Sequence, residues 1–292
     1  MKELVILSGK GGTGKTSLTA EFAAISNSRV LCDADVDAAD LHLLMAPEIK
    51  LRADFKGGGL AFINQDKCIE CRECIELCKF DAISDDFIVS EIDCEGCGVC
   101  VDLCPEKAIE FPIQTCGEWY ISETRFGPMA HAILGIAQEN SGKLVALVRQ
   151  EARKLAEKKG MNLILTDGPP GVGCPVIASI GGATAILIVT EPTVSGIHDM
   201  KRAIELAAHF KVPAMVCVNK YDLNPDQAKN IENLVEKQNL TFLGNIPFDP
   251  VFTKSMVQGK TIVEYEKDSS TLQVIKNIWE KIMGSHEMNS IN

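Results

Sequence analysis

Eight of the twelve cysteines fall in two copies of one pattern, Cys68-x2-Cys71-x2-Cys74-x3-Cys78 and Cys94-x2-Cys97-x2-Cys100-x3-Cys104, set 26 residues apart. The copies also align beyond the cysteines: Leu77 with Leu103, Ala82 with Ala108, Ile83 with Ile109. This is an internal duplication, and each half is too small to bury its own core. The start, Met1-Lys2-Glu3-Leu4-Val5-Ile6-Leu7, has an apolar run too short for a signal peptide, and no stretch approaches the ~20 apolar residues of a membrane span. A cytoplasmic location is expected. Thiols stay reduced there, so the dense cysteine framework reads as metal ligation rather than disulfides.

The chain has 292 residues, 46% of them hydrophobic, enough for an ordinary core and about two domains. Its formal charge of −11 is uneven: residues 61–112 hold 13 acidic and 4 basic residues, so the acidity belongs to the cysteine-rich segment. Such a face excludes nucleic acid as a natural partner, since phosphate binding needs electropositive surface. A partner protein with a basic face is the complement, and plain solvated surface is the competing reading.

Leu4-Val5-Ile6-Leu7, bounded by polar and glycine residues, reads as a strand buried on both faces. Further apolar runs end in polar residues: Arg29–Cys32 before Asp33, Asn162–Thr166 before Asp167, Ala185–Val189 before Thr190, and Ala214–Val218 before Asn219. Helical patterns lie between them at 143–159, at Ile197/Met200/Ile204/Ala207 and at 226–238. This alternation predicts an α/β fold, a doubly wound and mostly parallel sheet with its ligand site at the carboxyl ends of the strands. Lys56-Gly57-Gly58-Gly59 and Phe111-Pro112 read as hinges. The expected division is a larger domain of residues 1–59 and 116–292 and a small α+β insert of residues 60–115.

The doubled cysteine run resembles the bacterial ferredoxins that carry two [4Fe–4S] clusters. In those proteins the last cysteine of each run serves the other cube. The resemblance implies Cys68, Cys71, Cys74 and Cys104 around one cluster, and Cys94, Cys97, Cys100 and Cys78 around the other. Cys104-Pro105 keeps the family's proline and Cys78-Lys79 does not. Zinc or buried free cysteines are the alternatives, and the eightfold pattern weighs against both.

Ser8-Gly9-Lys10-Gly11-Gly12-Thr13-Gly14-Lys15-Thr16 satisfies the glycine-rich phosphate loop G-x-x-x-x-G-K-[ST], whose N–H groups and helix dipole receive phosphate. Its additional Lys10 resembles the deviant Walker A loop of the MinD/Mrp/ParA class of P-loop ATPases. The similarity extends to Asp33-x-Asp35, Asp167-Gly168-Pro169-Pro170-Gly171 and Val189-Thr190-Glu191-Pro192-Thr193. It implies a P-loop NTPase in which Gly9, Gly11, Gly12, Thr13, Gly14, Lys15, Thr16 and Ser17 hold ATP. Thr16 would ligate Mg²⁺, and Asp167 would hold it through water. Lys10 would reach a partner's nucleotide across a homodimer, or a heterodimer with a related ATPase, while Asp35 would orient the attacking water. Asn219-Lys220-Tyr221-Asp222 matches the N-K-x-D sequence of GTPases, whereas the MinD-like class uses an asparagine here for adenine, so ATP is favoured and GTP stays open.

Asp33 is a further switch candidate, and Asp37 and Asp40 read as surface aspartates. Cys174 has a placement similar to that of a cluster-ligating cysteine of the nitrogenase iron protein, with Cys116 the candidate companion for a third, bridging cluster. Cys32 and Cys217 read as core, and His131, His198 and His209 have no assignment. The tail residues Leu272, Ile275, Ile278, Trp279 and Ile282 form an amphipathic helix, expected to pack on the domain rather than on a membrane. Taken together, the residues predict an ATPase whose nucleotide-dependent dimer closure gates electron transfer through two [4Fe–4S] clusters. An Mrp-type cluster carrier and a positioning ATPase with structural or sensory clusters are the alternatives. No cysteine follows Cys217, which weighs against the carrier.

Overall fold

The computed structural model describes residues 1–135 and 141–289. Its strands are β1 (Lys2–Ser8), β2 (Arg29–Asp33), β3 (Glu48–Gly59), β4 (Phe62–Ile63), β5 (Ile109–Glu110), β6 (Ile113–Thr124), β7 (Gly127–Leu134), β8 (Leu163–Pro170), β9 (Ala185–Thr190), β10 (Ala214–Asn219) and β11 (Thr241–Ile246). The helices are α1 (Lys15–Ile25), α2 (Leu41–Met45), α3 (Glu73–Leu77), α4 (Val99–Asp102), α5 (Ser141–Lys159), α6 (Cys174–Ile180), α7 (Val194–His209), α8 (Pro225–Lys237), α9 (Val251–Val257), α10 (Ile262–Tyr265), α11 (Ser270–Gly284) and α12 (His286–Asn289). The chain divides into two compact units. One holds Met1–Arg52, Trp119–Ile133 and the chain from Ser141; the other holds Ala53–Glu118 with Leu134 and Gly135.

The main sheet has the order β11-β10-β9-β1-β8-β2-β7-β6-β3. β1 pairs in parallel with β8 and β9, β2 with β8 and β7, and β10 with β9 and β11, giving the expected mostly parallel α/β architecture. Along β1, Leu4 and Ile6 enter the apolar cluster on one face, and Val5 and Leu7 enter the cluster on the other. A strand buried on both faces is the reason its sequence is continuously apolar rather than alternating.

The second unit repeats itself in backbone as well as sequence. Positive φ occurs at Glu70 and Gly96, at Arg72 and Gly98, and at Asp81 and Lys107, each pair 26 residues apart. α3 and α4 occupy equivalent places after the cysteine turns. The strand pairing crosses between copies: Ile63 of the first pairs antiparallel with Ile109 of the second, and Val89 of the second pairs with Ile83 of the first. Ala61, Ile63, Ile83, Phe87 and Ile109 form the one small core that both copies share.

Two expectations change. Lys56–Gly59 is the end of β3 rather than a hinge, and the division between units falls inside β3 and β6. Gly57 and Gly59 serve close approach there: a Cβ would collide with the Phe55 ring at the first and the Phe111 ring at the second. The alternation Ile49, Leu51, Ala53, Phe55 is the period-two signal of this strand. The tail behaves as expected, with Leu272, Ile275, Ile278 and Ile282 of α11 buried in the core and Trp279 against Phe22 at 5.2 Å. Among the described residues no helix is long and apolar enough to cross a membrane.

Glu21 of α1 fastens the start of α10, accepting from the N–H of Ile262 at 2.7 Å and of Val263 at 3.3 Å. Burial pushes its carboxyl up to about 7 against the pull of those two donors, and nearby Glu264 adds to the rise. An unfolded Glu titrates near ~4.3, so the fold binds this proton more tightly than the unfolded chain does. The stability it brings is complete below the unfolded value and is lost as pH rises through about 7. Glu21→Gln should remove that slope, so melting temperatures of the two proteins should converge or cross between about pH 5 and 8. Parallel pH profiles would refute the assignment.

Candidate functional site

β1 delivers the chain to Ser8 and α1 begins at Lys15, so the glycine loop spans a strand end and a helix start, where N–H groups lack helical partners. Gly12 (φ 80°) and Gly14 (φ 92°) take left-handed conformations that a side chain would strain. Gly9 and Gly14 also sit under close neighbours, since a Cβ would strike Asp199 at the first and the Asn219 amide at the second. Thr13 carries a buried hydroxyl oxygen with no hydrogen-bond partner.

Lys15 is buried, and its Nζ lies 3.2 Å from Asp35 Oδ2, 3.2 Å from Asp167 Oδ1 and 3.3 Å from Thr16 Oγ1. Thr16 Oγ1 donates to Asp167 Oδ2 at 2.7 Å, and Thr19 Oγ1 donates to Asp167 Oδ1 at 3.1 Å. Burial works to lower the Lys15 ammonium, but Asp167, Asp35 and Asp33 overturn it and hold the pKa above the lysine range. Burial raises Asp35, against the opposing pull of Lys15, and raises Asp33 well above the carboxylate range with the Asp167 charge adding. Three acids thus face one ammonium. Oxygen donors in negative excess fit Mg²⁺, and the residues that would hold it are Thr16 and, through water, Asp167. Asp33 has a fastening role: its carboxylate accepts from the N–H of Asp35 at 3.2 Å and of Leu41 at 3.3 Å.

Lys10 reaches Glu191 Oε2 of its own chain at 3.2 Å, and Lys220 Nζ lies 2.6 Å from Glu191 Oε1. Burial would raise the Glu191 carboxyl, and Lys220 and Lys10 overturn this and hold it below the ordinary range. Lys220 also donates to Gly12 O at 3.1 Å, and Asn219 Nδ2 donates to Thr13 O at 2.8 Å. A cavity of about 560 Å³ opens beside this centre, lined by Gly11, Gly12, Gly14, Lys15, Thr16, Ser17, Asp35, Asn219 and Lys220. Asp40, read from sequence as plain surface, lines it too, whereas Asp37 is exposed. So do Leu43, Pro247, Phe248, Asp249, Phe252 and Met256, which sequence reasoning did not single out. The carboxyl end of β11 would have pointed to Pro247–Asp249. Glu191 was visible in its motif at the end of β9, without a role.

In the second unit the cysteines sort into two cavities. Cys68, Cys71, Cys74 and Cys104 line one with Pro105, and Cys78, Cys94, Cys97 and Cys100 line the other. Three members of each ring come from one run and the fourth from the other. Equivalent N–H···S bonds support the two crossing cysteines, Ala82 N to Cys78 Sγ at 3.4 Å and Ala108 N to Cys104 Sγ at 3.3 Å. Burial, then the neighbouring Cys94 and Cys97, pushes the Cys100 thiol up to about 11, and burial raises Cys74. Among the described residues no three acidic, His or Cys side chains converge tightly enough for a single metal ion. Rings of four thiols around a void fit a cube of several metal atoms, whose positive charge relieves the crowding of thiolates.

Cys174 is exposed at the start of α6, and Cys116 is buried with its thiol on Gln114 O. Cys32 and Cys217 are core residues. His131 is buried, stacked on Tyr120 and bonded to Ser122 at 2.8 Å; His198 sits by Asp199, and His209 edges Phe210.

Residues 4–262 match the CobQ/CobB/MinD/ParA nucleotide binding domain. An uncharacterized protein of Methanocaldococcus jannaschii is 33% identical over 96% of this chain and 96% of its own length. The septum site-determining protein MinD of Pyrococcus horikoshii, solved with Mg-ADP, shares the fold at a TM-score of 0.61, with 17% identity over 97% of this chain and 96% of that one. A short stretch of 49 residues, 17% of this chain, is 41% identical to pyruvate synthase subunit PorD of Methanothermobacter marburgensis, of which it covers 60%.

Lys15 is the only ammonium bonded to Asp35 and Asp167 among the described residues, so Lys15→Met leaves buried carboxylates uncompensated. Removing one partner of a buried pair costs about 3–5 kcal/mol. The expected signature is a loss of stability in the nucleotide-free protein that grows as pH rises from about 5 to 8, because the acids release their protons into an unfavourable site. A deficit independent of pH in calorimetric scans would show that Lys15 does not carry this charge balance.

Proposed function

The chain belongs to the CobQ/CobB/MinD/ParA nucleotide-binding domain family, and from that premise we propose that it is a Mg²⁺-dependent ATPase in which nucleotide-driven dimer closure gates electron transfer through two [4Fe–4S] clusters. The observation that carries the proposal is one chain holding both the Lys15–Asp35–Asp167 centre and two crossed rings of cysteines.

For phosphoryl transfer the chain's own groups supply position and charge. The N–H groups of Gly11, Gly12 and Gly14 and the start of α1 receive the phosphates. Lys15 exchanges Asp35 and Asp167 for the β- and γ-phosphate oxygens. That exchange frees Asp35 to orient the attacking water and leaves Thr16 and Asp167 to hold Mg²⁺, whose chemistry is to neutralise phosphate charge. Lys10 leaves Glu191 to reach the nucleotide of a second copy or of a related ATPase. Asn219 and Lys220 brace the loop beneath the base.

The clusters, held by Cys68, Cys71, Cys74 and Cys104 and by Cys94, Cys97, Cys100 and Cys78, supply one-electron storage. Their unit carries most of the chain's negative charge, which suits a redox partner presenting a basic face. Two strands offer a mechanical link, because β3 and β6 each run from the nucleotide-binding unit into the cysteine-bearing one. The aspartates of the first switch lie on the chain leading into α2 and then β3.

Protein purified without oxygen should contain about eight iron atoms per chain. Its reduced clusters should give an electron paramagnetic resonance signal that changes with ATP, and Lys15→Ala should abolish the change while keeping the iron. A protein that hydrolyses ATP with the signal unmoved has no such gating.

A further inference from the structure

The N-K-x-D run Asn219–Asp222 admits two readings of the base, and side-chain geometry separates them; the argument rests on the nucleotide-binding part of the function proposed above. Asn219 and Lys220 do not discriminate, since their bonds to Thr13 O and Gly12 O brace the phosphate loop whichever purine is bound. Asp222 does. To read guanine, its carboxylate must accept from the N1–H and the 2-amino group together. Instead Asp222 Oδ1 accepts the N–H of Phe248 at 2.6 Å, and Asp222 is absent from the cavity lining to which Asn219, Lys220, Pro247, Phe248 and Asp249 belong.

Asp249 is also committed. Its Oδ1 accepts from the N–H of Val251 at 2.9 Å and its Oδ2 from the Thr271 hydroxyl at 2.6 Å. Pro247 has no N–H, and the N–H of Phe248 is taken by Asp222. What these two residues have left for a ligand is carbonyl oxygen. Carbonyls accept from the 6-amino group of adenine and repel the 6-oxo group of guanine. A site that leaves a base's polar groups unpaired rejects it strongly.

We propose that Asp222 is the positioning residue that sets purine selectivity: by occupying the Phe248 N–H it makes Pro247–Phe248 an acceptor-only wall, which takes adenosine triphosphate and refuses guanosine triphosphate. The sequence element that resembles a guanine reader thus works against guanine.

The test is calorimetric titration of the full-length, cluster-loaded protein with ATP, GTP, ITP and XTP. The wild type should bind ATP at least about tenfold more tightly than ITP or GTP. Asp222→Ala frees the Phe248 N–H to meet a 6-oxo group, and the ATP-over-ITP ratio should fall by about tenfold. Asp222→Asn keeps an acceptor oxygen for that N–H and should hold the ratio within about threefold of wild type. An unchanged ratio in folded Asp222→Ala overturns the proposal. So does a wild type that prefers GTP and an Asp222→Asn variant that prefers XTP, the pattern of an aspartate reading the base directly. Should Asp222→Ala not fold, the Asp222→Asn outcome decides alone between retained ATP preference and a switch to XTP. Selective ATP binding with no effect on the cluster signal would defeat the gating reading and leave this one standing. Failure of the wild type to bind any triphosphate would defeat both.

Discussion

One buried ammonium organises the nucleotide site. Lys15 stands at the first residue of α1 and draws in Asp35, just beyond β2, and Asp167, on β8. Without a cation there, the acids following two neighbouring strands would repel one another in a region sealed from water. The parallel order β1-β8-β2 is what brings them within reach, because parallel strands end on the same side of a sheet. The charge that holds the resting site together is also the charge a triphosphate would claim, so the site is built to be rearranged by its ligand.

Much of this was legible in the sequence. Short apolar runs ending in Asp33, Asp167, Thr190 and Asn219 gave the parallel strands, and the rule of carboxyl ends placed the site before any contact was known. The phosphate loop was readable because glycines at fixed intervals have few other uses. What escaped notice depends on tertiary meeting rather than local pattern. Glu191 acquires meaning only when Lys10 and Lys220 arrive at its two oxygens from loops far apart in sequence. Pro247, Phe248 and Asp249 follow a strand, Thr241–Ile246, whose mixed polar content conceals its period. Gly57 and Gly59 were misread for a physical reason: a glycine that admits an aromatic ring and one that supplies a hinge look alike in one dimension.

The cysteine-bearing unit shows the opposite balance. Its sequence repeat predicted a structural repeat, and left-handed residues recur at the 26-residue offset even where the side chains differ, as with Arg72 and Gly98. A non-glycine residue held at positive φ carries a small strain, so the turn around the cysteines, rather than residue preference, dictates the backbone. The nucleotide-binding unit needs no such duplication, since its core is large and its helices cover both sheet faces.

The crossing of the two copies reaches beyond geometry. Ile63 needs Ile109, Val89 needs Ile83, and each ring of thiols borrows its last member from the opposite run. Neither copy is a self-sufficient vessel. Damage to one ring withdraws a strand and a sulfur from its twin, which makes occupancy of the pair all-or-none. A cell short of iron would then hold full and empty molecules side by side, with few half-filled ones, and inheritance could not prune one copy while sparing the other.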